Sequence, residues 1–428
     1  MAMYRTVRPE EWLTDAGLTD AGREARRAYE EFCAYLDRLD LLSYQTARAK
    51  YFLQHLHYWT LPDGFSLPPH TINLCVNNTC NLKCEYCDFG QKRRDTFYYR
   101  YNVGEDDSAV ELPFEALKSL IDQARWFRPI IRASYREPMV YKHILPLVEY
   151  TKKAGLPFWL LTNGFNLARH AATLVGYGID SVRFSLDGPE EVHDRVCGVE
   201  GAYRRMMEGV KILLDERKRL QAKTQVGFYF TVTHSNYGSI LATLEALEKE
   251  GILKEAFVNF QWLLYTTREM AERHNAEHAE ASGARIEEST IQSVHLEQVD
   301  MQRMAEQART ASARWPAADG YRIHFRPSFE TDDLLRYQQT EEFPVEKPRC
   351  RVLWYDLTVQ ANGDTRAFHH CLLPPAGNIH KASVLDNWNG EAFRAQRRAL
   401  QTHGAYHGCA RCWGVYALLE DEKRKDRD

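Results

Sequence analysis

Cys80, Cys84 and Cys87 stand in the run CNLKCEYC, and their C-x3-C-x2-C spacing lets one loop offer three thiolates to a single metal centre. A cubane [4Fe-4S] cluster that only relays electrons takes four thiolates, so a three-thiolate loop leaves one iron open to a small molecule. That points to chemistry at the open iron. The same residues also admit a zinc knuckle, but structural zinc sites close with a fourth Cys or His, and this segment offers no obvious one. Cys75, in TINLCVNN, lies in an apolar run and reads as a core position of a strand.

CNLKCEYC resembles the cluster loop of radical S-adenosylmethionine (SAM) enzymes, including the aromatic Tyr86 before the last cysteine. The resemblance implies that Cys80, Cys84 and Cys87 hold a [4Fe-4S] cluster whose open iron is chelated by S-adenosylmethionine, and that Tyr86 lies beside the adenine. In that family one electron cleaves the sulfonium, and the resulting 5′-deoxyadenosyl radical removes a hydrogen atom from the substrate. A reducing donor such as flavodoxin or ferredoxin is implied as partner.

The elements that must position such a loop are legible as an alternation. An apolar strand at about 71 to 76 leads into the cysteines, and the helix LPFEALKSLIDQARW and the strand RPIIRAS follow. HILPLVEYTKKAG and PFWLLTNG, ARHAATLVGYG and SVRFSLDG, AYRRMMEGVKILLDERKRL and QVGFYFTVTHSN, and SILATLEALEKEG and AFVNFQWLLY continue it. Repeated strand-helix pairs predict parallel strands with crossover helices. The expected fold is α/β: a partial (β/α)6, TIM-like radical SAM barrel over 70–265. A helical extension over 1–69 precedes it, a helical bridging segment over 266–345 follows, and a small cluster domain over 346–428 closes the chain.

Ligand residues in such a barrel sit at the carboxyl ends of the strands. Where the family has Gly-Gly-Glu-Pro, with its glutamate facing the nucleotide's amino group, this chain has Tyr135, Arg136, Glu137 and Pro138. The resemblance carries over Glu137, leaving Tyr135 and Arg136 either in an altered backbone or reaching toward substrate. Thr162-Asn163-Gly164 and Ser185-Leu186-Asp187-Gly188 resemble the family's ribose and methionine contacts, which makes Asn163, Ser185 and Asp187 cofactor-binding candidates. In HDRVCG, Cys197 takes the place of a family arginine. It reads as a small core residue or, alternatively, as a thiol that donates a hydrogen atom to a substrate radical.

Cys350, Cys371, Cys409 and Cys412 form a C-x20-C-x37-C-x2-C set, with a hairpin signalled by Asn362-Gly363 between the first two. Four cysteines can close a structural zinc site. The run PAGNIHKASVLDNWNGEAFRAQRRAL before CARC instead resembles the SPASM or shorter twitch domain, which implies one fully ligated auxiliary [4Fe-4S] cluster. His369 and His370 beside Cys371 read as surface or supporting residues rather than ligands.

A net charge of −4 suggests neither nucleic-acid nor anionic-membrane binding, and no apolar run approaches a membrane span. Metal-style cysteine placement and the lack of a signal-peptide apolar region fit a cytoplasmic location. The expected function is a radical SAM oxidoreductase that oxidises or cross-links a peptide or small natural-product substrate with the help of the auxiliary cluster. A redox-neutral epimerase using Cys197 is the alternative. A zinc-stabilised binding protein is the reading from another class.

Overall fold

The computed structural model describes residues 7–38, 58, 60–103, 110–288, 295, 298–327, 331–368 and 371–416. His369 and His370 therefore lie outside the described residues, as do residues 39–57 of the expected N-terminal extension.

Six parallel strands form the expected core: β1 (Thr71–Leu74), β2 (Ile130–Ala133), β3 (Phe158–Thr162), β4 (Ser181–Ser185), β5 (Gln225–Val232) and β6 (Phe257–Trp262). Each pairs with the next in sequence order, the connectivity that right-handed helical crossovers produce. The crossover helices bury one apolar stripe each: Leu117, Leu120, Ile121 and Ala124 in Phe114–Ala124, and Tyr203, Met206, Met207, Val210 and Leu213 in Ala202–Arg219.

Burial along the strands shows which side is full. In β2 the outward Ile131 and Ala133 are buried while Ile130 and Arg132 are half-buried; in β3 the same split separates Phe158, Leu160 and Thr162 from Trp159 and Leu161. The helix-facing side is packed solid, and the lumen side keeps room and polarity. Gly227 marks the tightest point of that lumen. A Cβ there would stand 2.1 Å from Cζ of Phe257, its partner in β6. Gly227→Ala is accordingly expected to lower the unfolding free energy by ~1–3 kcal/mol through overpacking; urea unfolding of the two proteins checks it, and superimposable curves would refute the account.

The sheet does not stop at six strands. Its order is β10-β9-β8-β1-β2-β3-β4-β5-β6-β7, with β7 at Arg322–Arg326, β8 at Asp356–Val359, β9 at Asp364–Arg366 and β10 at Gly377–Asn378. This corrects the expectation of a purely helical bridge over 266–345. Helices Arg268–Glu277, Ala279–Ser282, Met301–Arg314 and Thr331–Gln339 are present, but RIHFR between them pairs in parallel with β6. Phe325 stacks on Phe260 with ring centroids 5.0 Å apart, and the flanking charges had hidden this two-residue alternation.

The cluster domain is also not a separate body. Its first strand, β8, joins β1 in parallel, and the hairpin to β9 turns at Asn362-Gly363, where Gly363 takes φ 86°. The N-terminal extension packs on this module as well as on the barrel. Asp386 accepts hydrogen bonds from the backbone N–H of Asp15 (2.7 Å) and Ala16 (2.9 Å), Asn389 donates to the carbonyls of Leu13 and Ser66, and Tyr29 packs edge-on against Trp126 of the barrel.

Candidate functional site

The loop after β1 carries Cys80, Cys84 and Cys87, and the end of helix Glu190–Cys197 pins it: the backbone N–H of Lys83 donates to the carbonyl of Cys197 (3.0 Å), and that of Glu85 to Val196 (2.9 Å). Backbone donors also face the sulfurs, Leu82 N–H on Cys80 Sγ at 3.5 Å and Gly90 N–H on Cys87 Sγ at 3.4 Å. Burial pushes the Cys80 thiol up to about 12 and the Cys87 thiol up to about 11. Cys84 is raised by its contact with Cys197 and then by burial. Three neighbouring thiols on one loop, with backbone N–H donors aimed at the sulfurs of Cys80 and Cys87, are the donor chemistry that an iron-sulfur cluster requires.

Tyr135 and Arg136 resolve the missing glycines. Both keep positive φ, 70° and 54°, so the turn retains a left-handed backbone with two bulky residues at a cost of ~1–3 kcal/mol each. What that conformation delivers is a half-buried guanidinium against Phe89 of the cluster loop. Arg136 lies 3.1 Å from the Phe89 ring centroid, and its charge lowers Cys87 against the upward push of burial. Tyr135 packs against Phe368 of the cluster module.

Glu137 is fully buried. Its carboxylate accepts from Thr162 Oγ1 (2.6 Å), Asn163 N–H (2.7 Å) and Met139 N–H (2.8 Å), so it ties the end of β2 to that of β3. Burial still pushes it up to about 7 against those three donors. Asn163 in turn donates through Nδ2 to Asn81 Oδ1 (2.8 Å) and lies 3.9 Å from Cys80 Sγ. Asp187 is equally buried and is likewise raised to about 7 by burial; it accepts from Tyr86 Oη at 3.1 Å. Ser185, last in β4, stands beside Tyr229 of β5. Tyr86, Glu137, Asn163, Ser185 and Asp187 thus gather with the cysteine loop at one end of the sheet, although they span a hundred residues of chain.

Cys197 lies on the outer side of that loop. It is 1% exposed, packs with Leu82 and Ala202 and against Cys84, and its Sγ is 3.6 Å from His193 Nε2 and 3.9 Å from Asp187 Oδ2.

Cys350, Cys371, Cys409 and Cys412 line one cavity with Val352, Phe368, Leu372 and Arg411. Burial and then their mutual repulsion raise Cys350 and Cys409, and burial pushes Cys412 up to about 12. Four thiols closing one cavity match the donor set of a fully ligated cluster, and the same cage would also take zinc.

The sequence reading missed the arginines within the strands. Arg132, Arg183 and Arg326 come from β2, β4 and β7, and the available signal was a charged residue inside each of the otherwise apolar strands IIRA and SVRFS.

Residues 74–250 match the radical SAM superfamily, and residues 350–413 match SPASM, an iron-sulfur cluster-binding domain. Among curated relatives, Fe-coproporphyrin III synthase of Methanosarcina barkeri is 31% identical over 48% of this chain and 49% of its own, and pre-heme d1 synthase of Dinoroseobacter shibae is 28% identical over 48% of each. The chain thus spans about half the length of the curated relatives it matches. Among solved structures, Streptococcus suis SuiB aligns with a TM-score of 0.51 at 12% identity, covering 87% of this chain and 78% of that one. Native anSMEcpe with bound AdoMet aligns with a TM-score of 0.51 at 15% identity, covering 81% and 87%. These structures share the fold. Among the described residues, no helix is long and apolar enough to cross a membrane.

Proposed function

We propose that this chain, a member of the radical S-adenosylmethionine superfamily with a C-terminal iron-sulfur cluster-binding domain, is an enzyme that oxidises or cross-links a peptide or small natural-product substrate. Cys80, Cys84 and Cys87 would hold the cluster that binds S-adenosylmethionine, and Cys350, Cys371, Cys409 and Cys412 the auxiliary one. When bound, these groups supply one-electron cleavage of the sulfonium, a radical able to abstract hydrogen, and a second redox centre. The observation that carries the reading is that a three-thiol loop and a closed four-thiol cavity stand on one continuous sheet, joined through the β1–β8 pairing.

The residues around the first cluster divide the work. Arg136 offsets thiolate charge at Cys87. Glu137 and Asn163 lock the ends of β2 and β3 against the loop, so the open corner faces a fixed polar rim. Asp187 holds Tyr86 in place through its hydroxyl. The half-buried Trp159 of β3 and Tyr229 of β5 are left for substrate.

Cys197 supports oxidation over epimerisation, because its thiol is enclosed behind the loop and not directed into open lumen. Cys197→Ala is expected to leave product mass unchanged and turnover within about threefold, while iron is lost faster from the first site because the packing behind Cys84 is removed. Mass spectrometry of the product and iron release to a chelator check this. A product that loses its solvent-derived hydrogen in the variant would restore the hydrogen-donor role.

Anaerobic reconstitution tests the proposal as a whole. Iron and sulfide are counted, and 5′-deoxyadenosine is measured after dithionite reduction. A loaded protein that forms no 5′-deoxyadenosine would overturn it.

A further inference from the structure

Two guanidinium groups, those of Arg132 and Arg183, meet inside the barrel. Arg183 lies over the Trp159 ring at 3.9 Å from its centroid and Arg132 over the same ring at 5.5 Å, and Phe257 lies 5.5 Å from Arg183 on its other flank. Arg183 spends its hydrogen bonds on neutral oxygens, donating from Nη1 to Tyr229 Oη (2.8 Å) and from Nε to Ser181 Oγ (3.2 Å). Arg132 keeps a buried Nε without an acceptor. The charges that bear most on Arg183, after burial, are Tyr229 and the guanidinium groups of Arg132 and Arg326.

The field at this point is positive. Tyr229 is fully enclosed, which by itself raises a phenol, yet Arg183, Arg326 and Arg132 together bring it below its ordinary value. Asp356 of β8 faces Arg132 and accepts from the Asn73 amide, so it offsets part of the Arg132 charge, while among the described residues no carboxylate pairs with Arg183. Glu137 and Asp187, just beyond the carboxyl ends of β2 and β4, are taken up by their own donors. Gathering like charges in a partly dehydrated lumen is unfavourable unless an anion completes the set. Guanidinium forks stacked on aromatic rings are rigid and present paired N–H groups that match an oxyanion's geometry.

We propose that the lumen takes a substrate bearing an oxyanion, a carboxylate or phosphate group, that seats on Arg132 and Arg183 and leaves the rest of the molecule toward Cys80, Cys84 and Cys87. The proposal rests on the reading of this lumen as a radical SAM substrate site and adds its substrate class. The rings of Trp159, Tyr229 and Phe257 around the arginines suit an apolar or planar body attached to that anion.

Binding to the reconstituted holoenzyme with S-adenosylmethionine tests it, using calorimetry with trimesate, inorganic phosphate and the neutral trimesamide. Trimesate, phosphate or both should bind, more weakly as salt rises, and trimesamide should not. Arg183→Met should weaken binding at least tenfold and Arg183→Lys should recover part of it. Arg217→Met, at an outer surface pair with Glu255, should bind as wild type does. Trimesate alone assigns a carboxylate, phosphate alone a phosphoryl group. A holoenzyme that carries its iron and cleaves S-adenosylmethionine but binds neither anion, or binds them equally well in Arg183→Met, overturns the proposal. A wild type lacking that iron or cleavage instead overturns the functional reading beneath it.

Discussion

Replacing Cys80, Cys84 and Cys87 together by Ala is expected to lower the iron content from about eight to about four per chain and to abolish 5′-deoxyadenosine formation. The effect should be near total, because the loop offers no alternative ligand in the right place. Cys75 is sealed in the core at 2% exposure, and Cys197 stands behind Cys84. Fold should survive. The loop is pinned by backbone hydrogen bonds to the helix ending at Cys197, and the core of the barrel is built from other residues. Far-ultraviolet circular dichroism and iron analysis of the wild type and the variant check both halves. Iron that stays at about eight would place the first cluster elsewhere; a fall from about four to none would leave the C-terminal cysteines with zinc or empty.

Cys409→Ala with Cys412→Ala is expected to act in the opposite sense on the chemistry. Iron should fall by about four while dithionite-driven cleavage of S-adenosylmethionine continues, and formation of an oxidised product should drop by at least about a hundredfold. Stability should fall too, by about several kcal/mol, because ligand binding by a four-thiol cage is folding free energy. The loss is not confined to a tail. The cavity wall includes Phe368 and Val352, which lead directly into β9 and β8, and β8 pairs with β1 of the barrel. Loosening the cage therefore reaches the strand that launches the first cluster loop. Thermal unfolding, metal analysis and product mass read the three effects. One zinc per chain in the wild type, with iron unaffected by the substitutions, would exclude an auxiliary cluster and return redox-neutral chemistry to first place.

Between these results and the lumen arginines lies the question of what each group of residues contributes. The strand ends near Glu137 and Asn163 fix geometry around the open corner, and the arginines within the strands select what is presented to it. The strained Tyr135-Arg136 turn belongs to the first group. It spends backbone energy to keep a cation against the cluster loop, where glycines would have kept only the turn.

Residue order alone determined a good deal of this protein. The spacing of Cys80, Cys84 and Cys87 is a local constraint, since thiols three and four residues apart on a loop cannot avoid one another. The strand-helix alternation from 71 to 265 is likewise local, written in periods of two and of 3.6. Only the tertiary structure decided the rest. No short-range signal makes β8 choose β1 as its neighbour across 280 residues, because an edge of a parallel sheet accepts any strand whose side chains fit. The left-handed backbone at Tyr135 and Arg136 runs against the propensity of both residues and is held by the elements around it. Arg132, Arg183 and Arg326 are scattered over almost two hundred positions. Arg132 and Arg183 come together on the Trp159 ring only once β2, β3 and β4 have paired in register.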